Sequence, residues 1–468
     1  MAIVSKRKNP KVAVIGFGVT GKSVARFLIS RGIETHVYES KRQQDFPETE
    51  LKKFSEAIFH FETNNFDPKE YDYLVTSPGA SLEIPPIQKA LALNIPVHND
   101  LTLFIEAWRK IGKIVGITGS NGKTTTASVL YEALKRLTPT ILAGNIGNSP
   151  LDLLDIHYSK DVVAVLEISS NQLDLFKPEH YLDIYVLTNL SSNHLDRYHG
   201  DMDEYALSKL RGINKTKTKT IICADDSGTQ KHILKKLRCD DLFVISFKTS
   251  PEQATLPGIY LDPRQGLMCK MDARSRPKPV FNRSDERALL GLHNLYNISF
   301  VLLSIKLLGL EISAPAIKAI RNFTPLEHRV EKVCQKKGVL YVNDSKSTSP
   351  DSIRVALETV GQTKNVILIA GGDDKNMSFD FLTEVFSEKV KDLIILPGEI
   401  APKLKKVASS AKGVTVREVT TLAEATNLAA GKAVSGDVVL LSPGSYSRNY
   451  FKDYKERGAK FKEFVRDL

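Results

Sequence analysis

Residues 117–130 read ITGSNGKTTTASVL, an apolar segment followed by two glycines, a lysine and a run of threonines. Glycines let a backbone approach an anion closely, a lysine adds a point charge, and the next hydroxyl can ligate Mg²⁺, so the residue types suit a bound polyphosphate. The spacing departs from the standard P-loop, which asks for Gly, four residues, then Gly-Lys-Ser/Thr and would put glycine where this chain has Ile117. Its loop is instead Gly119, Ser120, Asn121, Gly122, Lys123, Thr124 and Thr125. Lys123 is expected to reach the β and γ phosphates of a nucleotide, and Thr124 to bind the metal. Glu167 ends the apolar run VVAVL, where a metal-binding carboxylate of a nucleoside-triphosphate site belongs.

Two further stretches carry chemistry. TNLSSNHLDRYHG (188–200) brings His194, Asp196 and His199 together, enough for a second metal ligand or a base, although loop histidines are also commonly solvated. GFGVTG (16–21) follows an apolar run and precedes the helical pattern KSVARFLIS, with Glu39 about 20 residues on, as in a dinucleotide fingerprint. Two such loops require two nucleotides, or one nucleotide-linked substrate plus ATP; with no hydride-transfer partner evident, the second is simpler. No Ser/His/Asp or Cys/His constellation suggests a protein nucleophile.

The elements that position these residues alternate in βαβ fashion. Strands are expected at 11–16, 35–40 and 71–77; then at 112–119, 161–169, 183–190, 220–225 and 241–247; then at 339–345, 365–372, 392–399, 414–419 and 437–444. Residues 248–290 are turn-rich and are expected to be irregular or antiparallel. Each of the first four strands of the last series is followed by a helical pattern. The fold expected is therefore three consecutive α/β domains: a Rossmann-like domain over 1–103, a P-loop ATPase-like domain over 104–325 and a second Rossmann-like domain over 326–468. Ligands of such sheets bind where strands end at their carboxyl side.

Composition narrows the classes. At 468 residues, 42% hydrophobic and 25% charged, the chain suits a globular protein of several domains. It holds no run of about 18 apolar residues, and MAIVSKRKNP has no apolar segment behind its charges, so a cytoplasmic protein without a membrane span is expected. Cys223, Cys239, Cys269 and Cys334 are too scattered for a metal cluster and read as reduced structural thiols. The net charge of +11 is spread out, and its densest runs, NKTKTKT and KHILKKLR, interleave no aromatics. A nucleic-acid partner is not expected, and anionic small substrates account for the charge equally well.

Taken together, ITGSNGKTTT, EISSNQLD, TNLSSNHLD, GLHNLYN, LEHRVE, VNDSKST and GGDDK resemble, in the same order, the motifs of the Mur ligase family of ATP-dependent amide-forming enzymes. That family's loop is TGxNGKT, which puts the first glycine at 119. GFGVTG, TSPGAS, NDLTLF and LSPGSYSRNYFKDYKERGAKF are most similar to its D-glutamate-adding branch. Three positions differ from that pattern: SPGSYS for SPACAS, Asn171 for an aromatic residue, and Glu39 for an aspartate.

The resemblance implies that a substrate carboxylate attacks ATP to give an acyl phosphate, whose carbonyl is then attacked by an amine. The expected substrates are UDP-N-acetylmuramoyl-L-alanine and D-glutamate, the expected cofactors ATP and Mg²⁺, and the expected state a monomer. It implies Lys123 on β/γ phosphate, Thr124 and Glu167 on one Mg²⁺, and His194 with a carbamylated Lys209 on a second. Asn294 and Asn297 would contact adenine and Asp344 ribose, with Arg329 and Lys346 at phosphate and the reacting centre. Gly18, Val19 and Thr20 would meet the uridine diphosphate, with Glu39, Ser77, Pro78 and Gly79 nearby and Asn145 along the muramoyl part. Thr348, Lys375, Ser447 and Tyr454 would hold D-glutamate. A carbamate forms on a neutral amine, so a nearby cation and partial burial are expected to lower the pKa of Lys209.

Other readings share parts of the pattern. Another amino-acid-adding member of the family would use the same chemistry. A folylpolyglutamate synthetase shares TGxNGK but has no separate N-terminal GxGxxG domain. An NAD-dependent dehydrogenase leaves the second loop and GGDDK unexplained, and a nucleic-acid-binding ATPase would draw on the net charge.

Overall fold

The computed structural model describes residues 10–77, 80–146, 149–156, 158, 161–191, 198–272, 274–282, 292–324, 327–374, 377–446 and 450–468. Among the described residues the strands form three sheets in chain order, each ending its strands at loops that carry the motifs.

The first sheet holds β1 (Lys11–Ile15), β2 (Glu34–Glu39), β3 (Ile58–Phe61), β4 (Tyr73–Thr76) and β5 (Val97–His98) in the order β3-β2-β1-β4-β5, all parallel. Its helices are α1 (Val19–Ile29), α2 (Glu48–Leu51) and α3 (Pro85–Ala92). The sequence pattern omits β3 and β5. The first is a half-buried edge strand and the second only two residues long, so neither carries a strong apolar run.

α4 (Asp100–Trp108) joins this sheet to the next. Seven of its residues are buried, including Leu101, Leu103, Phe104, Ile105 and Trp108, which is what an apolar surface on nearly every side of a helix requires. They belong to one core cluster that runs from Val12, Val14 and Phe17 in the first unit to Ala164, Leu166, Tyr185 and Tyr205 in the second. The indole of Trp108 stacks on Phe104 and meets the ring of Tyr158 edge-on at 5.0 Å.

The central sheet holds β6 (Gly112–Thr118), β7 (Thr140–Gly144), β8 (Val162–Glu167), β9 (Ile184–Leu187), β10 (Lys219–Cys223), β11 (Leu242–Ser246), β12 (Gly258–Asp262), β13 (Gly266–Lys270) and β14 (Lys278–Phe281), in the order β14-β13-β12-β11-β10-β9-β6-β8-β7. The turn-rich stretch after residue 248 therefore continues the sheet: β12 pairs with β11 in parallel, and β13 and β14 are antiparallel. The accompanying helices are α5 (Lys123–Leu134), α6 (Ser170–Leu173), α7 (Met202–Leu210), α8 (Leu292–Leu307) and α9 (Ala314–Arg321). α5, α8 and α9 pack on one face.

The third sheet holds β15 (Glu331–Lys336), β16 (Val339–Asn343), β17 (Val366–Gly371), β18 (Val390–Leu396), β19 (Thr415–Glu418) and β20 (Val438–Leu441), ordered β15-β16-β20-β17-β18-β19. α10 (Pro350–Val360), α11 (Thr383–Lys389), α12 (Ala401–Ser410) and α13 (Leu422–Lys432) follow β16 to β19 as the pattern requires, and α14 (Tyr454–Asp467) closes the chain. α10 to α12 pack on one face, α13 and α14 on the other. β15 is antiparallel and joins β16 through Lys337 and Gly338, both at positive φ. Its polar, half-exposed sequence hides it from an apolar-run reading.

Polar contacts reinforce the seam along α4. Asn99 Nδ2 donates to the Gln172 carbonyl at 2.8 Å, and Arg109 donates to the Tyr181 carbonyl. His180 accepts the Lys177 amide at Nδ1, so its proton is on Nε2 and points at Glu106 Oε1, 3.0 Å away. His98, buried beside this pair, has its pKa pulled down to about 4 by desolvation. A histidine whose folded pKa is depressed binds less proton than the unfolded chain between pH 6.5 and 4, so stability falls as pH drops through that window, by about 3 kcal/mol for a shift of this size. Melting temperature measured from pH 7 to 4 should therefore fall less steeply in His98→Gln than in the parent; parallel curves would remove His98 from the acid response.

Candidate active site

β6 delivers the chain into the loop 119–122, and α5 begins at Lys123, so the unpaired amides of the first helical turn face the loop. Gly119 and Gly122 have φ of +140° and +80°. A Cβ at 119 would lie 2.0 Å from Thr188 Oγ1, and one at 122 would lie 2.7 Å from Asn297 Oδ1. The segment after β9 pins the loop from outside. Thr188 Oγ1 donates to the Asn121 carbonyl at 2.6 Å, Asn189 Oδ1 accepts the Asn121 amide at 2.9 Å, and Ser120 Oγ donates to the Ser191 carbonyl at 3.0 Å. Thr188 and Asn189 lie in TNLSSNHLD, but a search for titratable groups passes over them.

Lys123 Nζ folds back to donate to the Gly119 and Ser120 carbonyls at 2.8 and 2.9 Å. Burial, with the charge of Lys209 beside it, lowers its pKa to about 8. Lys209 lies on α7, only 1% exposed, its Nζ 3.3 Å from the same Gly119 carbonyl and 4.7 Å from the Tyr205 ring centroid. Its pKa falls to about 7, and the cause is full burial, opposed by Asp174, where the sequence led us to expect partial burial beside a cation. Tyr205, not among the expected residues, also meets Ser120 Oγ at 3.2 Å.

Glu167 ends β8, buried at 2% exposure. Asn145 Nδ2 donates to its Oε1 at 2.9 Å, while its Oε2 has no partner among the described residues. A buried carboxylate oxygen left open beside a phosphate-type loop is what a cation ligand looks like before it is used. Thr124 Oγ1 accepts from Arg329 Nη2 at 2.7 Å, and this bond joins α5 to the third unit. His194 and Asp196 lie outside the described residues; His199 is exposed and pairs with Glu204 at 3.1 Å.

Between the central and third units opens a cleft of about 630 Å³. Asn121, Thr125, Asn294 and Asn297 line it on one side, Arg329 and Lys346 on the other. Asn297 Oδ1 accepts from Thr126 Oγ1, and its Nδ2 donates to Asn294 Oδ1, both at 3.1 Å. Asp344 also borders the cleft, but its oxygens already accept from the Val330 amide and Ser442 Oγ, and burial raises its pKa to about 7. Lys346 Nζ sits 3.7 Å over the Tyr454 ring, and Thr348 follows in the same loop. Arg457, also not anticipated, is buried on α14 and donates to Ser345 Oγ at 3.0 Å and to the Ser345 and Ser445 carbonyls, tying NDSKST to LSPGSYS. Lys375 and Ser447 lie outside the described residues.

In the first unit, Gly18 and Val19 project from the carboxyl end of β1, Val19 at 84% exposure, with Thr20 beside them. Glu39 is buried; its oxygens accept the Phe17 amide at 2.8 Å and the Lys41 amide at 3.0 Å, which shapes the GFG turn. Ser77 Oγ approaches the Gly16 carbonyl at 3.5 Å, and Pro78 and Gly79 lie outside the described residues.

Family models match three consecutive parts of the chain: the Mur ligase MurD-like N-terminal domain over residues 10–99, the Mur ligase middle domain over 117–305, and the Mur ligase glutamate ligase domain over 328–444. The UDP-N-acetylmuramoylalanine–D-glutamate ligase of Pelotomaculum thermopropionicum is 34% identical over 471 residues, covering 98% of each chain, and that of Chlamydia trachomatis serovar L2 is 32% identical over 97% of each. Among solved structures, the MurF ligase of Thermotoga maritima in complex with ADP superposes with a TM-score of 0.59 at 17% identity, covering 94% of this chain and 97% of that one. The bifunctional folylpolyglutamate synthase/dihydrofolate synthase of Yersinia pestis reaches 0.54 at 15% identity but covers only 78% of this chain. Three sheets in this order, a TGSNGKT loop at the end of β6 and full-length relatives at this identity have one common account: the chain belongs to the Mur ligase family of ATP-dependent ligases, as a member with a MurD-like N-terminal domain.

Proposed function

We propose that this chain joins the amine of D-glutamate to the alanyl carboxylate of UDP-N-acetylmuramoyl-L-alanine, through an acyl phosphate made from ATP, releasing ADP and phosphate. The full-length relatives named for that reaction support the substrate pair. The observation that carries the chemistry is the pair of lysine amines, Lys123 and Lys209, gathered on the Gly119 carbonyl at the start of α5. The charge of Lys123 is suited to a polyphosphate and to the transition state of its transfer, while Lys209 is buried enough to lose its proton.

In this reading Lys123 exchanges its carbonyl partners for β/γ phosphate oxygens, helped by the amides of the 119–125 loop. The open Glu167 Oε2 and the Thr124 hydroxyl fit one Mg²⁺, since hard cations prefer oxygen donors. His194 and a carbamate on Lys209 would hold a second; burial already leaves the amine near half neutral at pH 7, the form that takes up CO₂. Bound there, Mg²⁺ would neutralise charge on the transferring phosphate. Arg329 leaves Thr124 to meet phosphate, and Lys346 faces the reacting centre. Asn294 and Asn297 hold adenine at the cleft; Asp344 reaches ribose only by giving up a present partner.

Gly18, Val19 and Thr20 receive the uridine diphosphate, with Glu39 and Ser77, Pro78 and Gly79 framing it. Asn145 follows the muramoyl part, and Thr348, Lys375, Ser447 and Tyr454 hold D-glutamate. The units divide at 1–103, 104–325 and 326–468. The enzyme acts in the cytoplasm as a monomer, a setting compatible with its four free thiols.

Phosphate release from ATP should require both the nucleotide sugar and D-glutamate, with L-glutamate, L-alanine and L-lysine inactive; equal turnover with L-lysine or meso-diaminopimelate would reassign the chain to a sibling activity. Lys123→Ala should lower turnover by at least about 10²-fold with an unchanged melting temperature, and activity within about threefold of the parent would sink the phosphate role. Lys209→Ala should lose most activity and regain part of it in acetate, whose oxygens fill the vacated ligand positions. Failure of every short carboxylate to rescue would count against the carbamate.

A further inference from the structure

Lys364 lies in the turn between α10 and β17, at the amino end of the third sheet and opposite the loops that carry the motifs. Its Nζ donates to the carbonyls of Val390 at 2.9 Å, Gly413 at 3.2 Å and Phe386 at 3.4 Å, and to that of Lys412. These acceptors come from three places: Phe386 in the last turn of α11, Val390 at the start of β18, and Lys412 and Gly413 in the turn from α12 to β19. All four are backbone carbonyls, where a surface lysine ordinarily pairs with a carboxylate.

Carbonyl oxygens gathered on one point carry like partial charges and repel, so the cluster is favourable only around a cation. Lys364 supplies one at a cost to its backbone, which has φ +51°, a region that glycine adopts freely and lysine does not. Glycine would suit the turn better; what lysine brings is its ammonium, which matches potassium in size. The match is incomplete in one respect, because an ammonium has three protons for four acceptors, whereas a spherical ion has no such count. Backbone carbonyls that replace a hydration shell are how proteins hold K⁺.

We propose that the carbonyls of Phe386, Val390, Lys412 and Gly413 form a monovalent-cation site of potassium size, which the chain fills with its own Lys364 ammonium and which takes K⁺ or NH₄⁺ from solution once that side chain is removed. The filled site ties α11, β18 and the α12–β19 turn to one charge and makes the amino end of the third sheet independent of added salt. A lysine that only stitched loops together by hydrogen bonds would leave, on removal, a defect that no ion repairs; an ion site leaves one that ions of the right size repair and others do not.

The test uses the full-length protein and follows hydrogen exchange over residues 386–391 and 411–416, because in a chain of several units one melting temperature does not report one region. Parent, Lys364→Ala and Lys364→Met are compared in chlorides of K⁺, NH₄⁺, Li⁺ and tetramethylammonium at equal ionic strength. The parent should show the same protection in all four. Lys364→Ala should lose protection in Li⁺ and tetramethylammonium, the one too small and the other too large for the cage, and regain it in K⁺ or NH₄⁺. A Kd of about 10 mM corresponds to a shift of about twentyfold in the opening equilibrium at about 200 mM ion. Lys364→Met keeps the bulk of the stem in the cage and should lose protection in every salt. Should Lys364→Ala not fold, Lys364→Gly, which suits the positive φ, takes its place. Parental protection of the alanine or glycine variant in every salt, or a response to K⁺ within about twofold of its response to Li⁺, overturns the proposal.

Discussion

Two ammonium groups converge on one carbonyl oxygen, that of Gly119, with Lys123 Nζ at 2.8 Å and Lys209 Nζ at 3.3 Å. Burial penalises the charged form of both amines, and at Lys123 the neighbouring charge of Lys209 adds to that cost, so both pKa values fall toward neutrality. The arrangement becomes favourable when an anion enters or when one amine loses its charge. Much of the surrounding structure holds that pair in place: the positive-φ glycines shape the loop, and Thr188, Asn189 and Ser191 brace it from β9. Tyr205 covers Lys209, and the Glu167 carboxylate supplies the opposite charge felt by Lys123.

The three sheets contribute unequally to this centre. The first and second share a continuous apolar core through α4, so the GFGVTG loop is carried on the same body as the phosphate loop. The third meets the second across a polar cleft, and Arg329 reaches over it to the Thr124 hydroxyl. A seam of apolar burial holds geometry, whereas a cleft bridged by hydrogen bonds can exchange its partners for ligand atoms at little net change in free energy.

Several buried polar groups are engaged in fixing loops. Glu39 shapes the turn after β1, Asp344 holds Val330 and Ser442, and Arg457 ties two loops of the third unit with bonds to Ser345 and Ser445. Each is a charged side chain beside a loop of functional residues, and each is engaged because an unpaired buried charge would be costly.

The strand–loop–helix at TGSNGKT, the order of the three units and the strands with uninterrupted apolar runs were legible in the sequence, because burial on both faces of a parallel sheet imposes such runs and a tight turn into a helix imposes glycine at short range. Edge strands such as β3 and β15 were not, since half-exposed residues leave no apolar signature. Nor were the partners of Glu167 and Lys209. Asn145 lies 22 positions from the first, Tyr205 lies one helix turn from the second, and nothing local marks them. Local spacing determines which chemistry a segment can offer. Whether a lysine is a solvated cation or a buried amine with a pKa of about 7 depends on long-range packing that removes water from it, and only the tertiary structure decides that.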